Sequence, residues 1–111
     1  MTFEELKQLD EQYVVQTYSR NPIAIDHGQG ATLYDLEGKE YIDFASGIGV
    51  LSVGTAHSKW QAAISAQAAK LGHISNLYYS EPYILLAQKL CTRSGMAAAF
   101  FANSGAESNE G

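Results

Sequence analysis

The stretch "MAAAFFANSGAESNEG", residues 96–111, sets the tightest limit on the fold. Its apolar run, Met96–Ala102, is too continuous to alternate between a wet and a dry face, so it predicts a strand buried on both sides. Such a strand needs parallel neighbours and covering helices, which points to an α/β architecture. The turn Ser104-Gly105-Ala106 follows at once, and then the start of a helix. That order is the layout of an anion site, because main-chain N–H groups left unpaired at a helix start face outward and the helix dipole favours negative charge there. Gly105 leaves room for an oxyanion to reach the main chain, and the Ser104 hydroxyl can donate to it. Ser104 and Glu107 also have capping-box spacing, so the same residues can form an ordinary helix start without a ligand.

The elements upstream are too few to complete such a sheet. Thr2 and Glu5 have capping-box spacing before a short helix on which Phe3, Leu6 and Leu9 recur, ending at the Tyr13-Val14-Val15 cluster. "RNPIAIDHGQG" reads as extended chain and turns. "TLYDLEGKEYIDF" reads as a β-hairpin around Glu37-Gly38, with Ile42 and Phe44 on one face. Residues 45–58 are glycine-rich and nearly uncharged, which fits either a packed loop with a close backbone approach or a mobile surface loop. Ser58 and Gln61 again have capping-box spacing, and Trp60, Ala63, Ile64, Ala68 and Leu71 share a helical face before Gly72. A further helix is expected from Glu81 to about Arg93, with Pro82 tolerated in its first turn. The chain therefore reads as cut off.

Composition narrows the chemistry. With 46% apolar and 17% charged residues the chain is an ordered globular one, and its net charge of −5 argues against nucleic acid or an anionic membrane as partner. Cys91 is alone, so no internal disulfide is expected, and His27, His57 and His73 are too scattered for a metal motif. The acidic start "MTFEELKQLDEQ" is no targeting signal, and no apolar run approaches membrane-spanning length. A cytoplasmic protein acting on small molecules is the expectation.

Four blocks in order, "TYSRNPI", "LYDLEGKEYIDFASGIGV", "SNLYYSEP" and "FFANSGAESNEG", resemble the class III, fold-type I aminotransferases that use pyridoxal 5′-phosphate (PLP), and within them the acetylornithine branch. The resemblance spans essentially the whole chain. It departs at "GTAHSKW", where Thr55 and Ser58 stand in place of the first His and the Pro of a Gly-His-x-His-Pro segment.

The resemblance implies the N-terminal part of a fold-type I enzyme, with residues 1–72 as arm and small-domain segment and 73–111 opening the large PLP domain. It implies that Ser104, Gly105 and Ala106 hold the cofactor phosphate, that Tyr18, Ile48 and Gly49 border the substrate, and that Tyr78 and Tyr79 approach a second subunit of a homodimer. Tyr18 can equally be packing at the chain entry, and the tyrosine pair can equally be intrachain core. The implied reaction moves the amino group of N-acetylornithine to the 2-oxo acid 2-oxoglutarate within arginine biosynthesis; ornithine, 4-aminobutyrate or succinyldiaminopimelate remain open as donors. No catalytic residue is expected in this chain, because Lys7, Lys39, Lys59, Lys70 and Lys89 all precede the phosphate loop whereas the family's Schiff-base lysine follows it, and neither Arg20 nor Arg93 matches the carboxylate-binding arginine. Two other readings stay open: a non-catalytic phosphate-binding module of the dinucleotide type, which would want a G-x-G-x-x-G turn, and a truncated remnant that only dimerises.

Overall fold

Thr2 and Glu5 close the first turn of the chain reciprocally in the computed structural model, which describes Met1–Gly111. The Thr2 amide donates to Glu5 Oε2 at 2.7 Å and the Glu5 amide donates to Thr2 Oγ1 at 3.2 Å. Helix α1, Phe3–Tyr13, follows from this capping box as the spacing predicts. The chain divides into two units, Met1–Ala69 and Lys70–Gly111.

The first unit contains an antiparallel sheet in the order β1 (Ile25–Gln29), β2 (Thr32–Asp35) and β3 (Glu40–Ile42). β2 is half-buried along its whole length, and both edge strands are more exposed. The hairpin around Glu37-Gly38 is where the sequence places it: Gly38 has φ 79, and the Asp35 carboxylate accepts the Glu37 and Lys39 amides at 2.9 Å each. β1 was not expected, since its residues read as extended chain and turns. It forms because Gly30, with φ 60, makes a two-residue turn that folds Gln29 back onto Thr32. Gly28 in this strand lies so close to β2 that a Cβ would come within 2.6 Å of Leu33 Cδ2. Phe44 falls just beyond β3 and is 93% exposed, so Ile42 and Phe44 form no buried face.

After β3 comes a single helical turn, α2 (Ser46–Gly49), and it is left-handed. The φ values are 47 at Ser46, 60 at Gly47, 63 at Ile48 and 81 at Gly49. The two glycines occupy this region freely, whereas an L-residue costs about 1–2 kcal/mol there. Ile48 is β-branched and is the clearest outlier. The loop then docks on the sheet through an isolated bridge between Gly30 and Thr55. Here a glycine serves close backbone approach, for a Cβ on Gly54 would lie 3.1 Å from Gly30 Cα.

Helix α3, Ser58–Lys70, begins earlier than the spacing implies. The Gln61 amide donates to the His57 carbonyl at 3.0 Å, so Ser58 is already inside the helix and the expected Ser58–Gln61 capping box is not made. Just ahead of this start, Thr55 Oγ1 and His57 Nδ1 are inaccessible and without a hydrogen-bond partner.

In the second unit, α4 spans Glu81–Ser94 with Pro82 in its first turn, and Gly95 at φ 76 ends it by donating its amide to the Cys91 carbonyl. The run Met96–Ala102 is not a strand in the structure, contrary to expectation. Its residues have the composition of a buried strand, but a strand exists only by pairing, and the sheet of this chain, β1-β2-β3, does not include it. Helix α5, Gly105–Glu110, closes the chain. No residue of either unit is fully buried, and no helix is long and apolar enough to cross a membrane.

Candidate functional site

Phe101 sets the entry to α5. Its ring packs against Tyr83 of α4 with centroids 4.9 Å apart and planes tilted by 57°, which ties the apolar run to that helix before the Ser104 turn begins. Ser104 then has extended backbone angles, φ −146 and ψ 160, and serves as the N-cap. Its Oγ accepts the Glu107 amide at 3.2 Å, and its carbonyl accepts the Ser108 amide at 3.0 Å. The Glu107 carboxylate turns back to accept the Asn103 amide at 2.9 Å. The helix-start reading of Ser104 and Glu107 is therefore realised in part, with Asn103 in the place where a strict capping box would use the cap residue itself.

Two donors remain. The amides of Gly105 and Ala106 have no partner within the protein, and a Cβ on Gly105 would meet nothing within 4 Å. The Ser104 hydroxyl lies 3.4 Å from Glu107 Oε2, longer than an O–H···O bond prefers, so its proton is weakly committed. Two free amides, one redirectable hydroxyl and open space over a glycine form a cup that fits the oxygens of a phosphate group. The Glu107 carboxylate borders this cup, its Oε2 accepting the Asn103 amide and lying 3.4 Å from Ser104 Oγ.

The candidate substrate residues lie in the first unit. Tyr18 is 78% exposed and lines a cavity of about 810 Å³ with Leu9, Asp10, Tyr13 and Arg20. Asp10 organises that wall, accepting from Arg20 Nη1 and Gln16 Nε2 at 3.1 Å each. Ile48 and Gly49 sit in the left-handed turn α2, with the Ile48 side chain 97% exposed. Tyr78 and Tyr79, the candidate interface pair, are both exposed in the second unit. No group of three or more His, Cys, Asp or Glu side chains could hold a metal ion.

Sequence reasoning missed Asp43. Its Oδ1 accepts the amides of Ala45 and Ser46 at 2.9 and 2.8 Å and so builds the entrance to α2. An Asp ahead of Ala-Ser-Gly is an Asx-turn signal and could have been found.

The chain is similar to known proteins in sequence and in fold. Residues 13–111 match the family described as aminotransferase class-III. The acetylornithine aminotransferase of Haemophilus ducreyi is 51% identical over 111 residues, which is 100% of this chain and 28% of that protein. The crystal structure of acetylornithine aminotransferase from Elizabethkingia anophelis superposes with a TM-score of 0.94 at 32% identity, over 99% of this chain and 29% of that one. The taurine:2-oxoglutarate aminotransferase of Bifidobacterium kashiwanohense, solved in complex with PLP and glutamate, gives a TM-score of 0.87 at 30% identity, over 99% of this chain and 26% of that one. The chain thus spans little more than a quarter of the length of these relatives. With a family match over nearly its whole length and the corresponding fold, the chain belongs to the class-III aminotransferases.

Proposed function

We propose that the protein of which this chain forms the amino-terminal part is a PLP-dependent acetylornithine aminotransferase. The observation that carries the cofactor assignment is the pair of unpartnered amides at Gly105 and Ala106 beside the Ser104 hydroxyl. In this reading those three donors hold the cofactor phosphate, and the start of α5 adds its dipole to the same anion. When bound, PLP supplies the electron sink that amino transfer requires. Tyr18, Ile48 and Gly49 border the amino donor in this reading. The lysine, the acidic partner of the pyridine nitrogen and the arginine for the substrate carboxylate belong to the remaining polypeptide.

Residues 1–72 are assigned to the arm and small-domain segment and 73–111 to the start of the large domain, on the order of the sequence blocks. The enzyme is a cytoplasmic homodimer in this proposal, with Tyr78 and Tyr79 at the subunit contact. Support for the donor comes from the names of relatives such as the Haemophilus ducreyi protein.

The test is amino transfer by the full-length, PLP-loaded protein. N-acetylornithine and 2-oxoglutarate should yield N-acetylglutamate semialdehyde and glutamate in equal amounts, with a higher kcat/KM than ornithine, 4-aminobutyrate or succinyldiaminopimelate as donor. A preference for one of those three overturns the substrate assignment, and no transfer from any donor overturns the activity.

A further inference from the structure

The loop that carries Ile48 leaves the sheet and returns to it at adjacent residues. The Asp43 amide donates to the Ala31 carbonyl at 2.8 Å at the outgoing end. Thr55 and Gly30 exchange both main-chain hydrogen bonds, at 2.8 and 2.9 Å, at the returning end. The residues between, 44–54, contain the left-handed turn Ser46–Gly49. An isoleucine in that conformation with its side chain 97% exposed gains nothing from packing within this chain. Within this chain something other than burial holds it there.

Two acceptors do so. The Ala45 carbonyl takes the Ile48 and Gly49 amides at 2.8 and 3.1 Å, and the Asp43 carboxylate takes the Ala45 and Ser46 amides through one oxygen. Ser46 is the first residue of this turn with positive φ, so the carboxylate grips the chain at the residue where its handedness changes. Strained backbone persists only where its surroundings over-determine it, and Asp43 is the side chain that does so here.

We infer that Asp43 is a positioning residue for the amino donor: anchored to the sheet at Ala31, it holds the left-handed turn that presents Ile48. The inference rests on the proposed reading that Ile48 and Gly49 border the donor. Asp43 acts through the turn and touches neither donor nor cofactor. Because a single oxygen accepts both amides, an asparagine oxygen can replace it, whereas an alanine methyl cannot.

The experiment uses the full-length, PLP-loaded protein and compares Asp43→Ala, Asp43→Asn, Ile48→Ala and the double variant Asp43→Ala with Ile48→Ala. Asp43→Ala should raise KM for the amino donor about five- to tenfold, the loss of one exposed and one part-buried hydrogen bond, with kcat and PLP affinity within about twofold. Asp43→Asn should stay near the parent. Hydrogen exchange of the amides in residues 45–49 should quicken in Asp43→Ala alone. Ile48→Ala should raise KM by itself, and Asp43→Ala should add little in that background. Ser46→Gly, which removes the Cβ penalty at the first left-handed residue, should recover part of the loss in Asp43→Ala. Asp43→Ser, a weaker acceptor, should give an intermediate KM and keeps the comparison available if the alanine variant does not fold. If Ile48→Ala leaves KM unchanged, the substrate-side reading of Ile48 fails and takes the inference with it. If Ile48→Ala raises KM but Asp43→Ala adds its full effect to it, or leaves exchange at 45–49 unchanged, the positioning role alone is overturned.

Discussion

Gly30 and Thr55 face each other across two main-chain hydrogen bonds of 2.8 and 2.9 Å, and the close contact this creates falls on Gly54. At Gly54 φ is 82, and a Cβ would lie 3.1 Å from both Gly30 Cα and Gly30 O. Gly54→Ala therefore meets strain and backbone overlap together, and should destabilise the full-length protein by about 1–3 kcal/mol. Gly95→Ala is the control, with φ 76 but nothing within 4 Å of its Cβ, and should cost less. Denaturant midpoints at unchanged m-value measure both. Equal losses would show that the bridge gives way without resistance.

The Asp35–Tyr41 pair should make the hairpin pH-sensitive at both extremes. The Lys39 amide, the Tyr41 hydroxyl at 2.8 Å and the Glu37 amide all donate to the Asp35 carboxylate, holding its pKa below the ordinary 3.8. The same hydrogen bond to Asp35 pushes the Tyr41 phenol above its ordinary 10.0. A depressed carboxylate contributes stability that is present above its unfolded pKa and is lost as pH falls through the folded one. A raised phenol contributes stability that is present below its unfolded pKa and is lost as pH rises through the folded one. The hairpin contribution is thus intact between these limits. NMR titration of the Asp35 carboxyl should show it rising in Tyr41→Phe yet staying below 3.8, because the two amides remain. A parent value at or above 3.8 would contradict the hydrogen-bond account.

Thr2→Ala removes the acceptor for the Glu5 amide and should loosen the first turn of α1 by about 1 kcal/mol. The readout is faster hydrogen exchange at Glu5 and Leu6, with α3 and α4 unaffected. Thr2→Ser should behave like the parent. Uniform acceleration across all helices would mean that α1 is coupled to the rest and that its cap is not a local feature.

What could be read ahead of the structure was mostly local chemistry. The Thr2 cap, the Glu37-Gly38 hairpin, the Pro82 helix start and the Ser104 cap each depend on residues a few positions apart, and each formed. β1 was hidden because His27 and Gly28 carry little strand signal, and its pairing is imposed by the turn at Gly30. The left-handed turn was hidden because nothing about Ile48 as a residue type favours positive φ; Asp43 and Ala45 impose it through their acceptors. Met96–Ala102 failed for the opposite reason, having strand-like composition without a strand to pair with. At the candidate site, the residue types of Ser104, Gly105 and Ala106 were legible, while the freedom of their amides became visible only once the hydrogen bonds around Glu107 were laid out.

The measurement that bears most directly on the proposed function is the affinity of the full-length protein for PLP and for pyridoxal, which lacks the phosphate, in the parent, Ser104→Ala and Gly105→Val. Removing the Ser104 hydroxyl takes away one charge-assisted hydrogen bond, roughly 1.5–3 kcal/mol, and should weaken PLP by about one to two decades in Kd. Gly105→Val fills the open space over the free amides with a branched side chain and should weaken it further. Pyridoxal affinity should hardly respond to Ser104→Ala. Equal losses for PLP and pyridoxal would show that the turn is a helix cap and nothing more, and would contradict the assignment of Ser104, Gly105 and Ala106 to the cofactor phosphate.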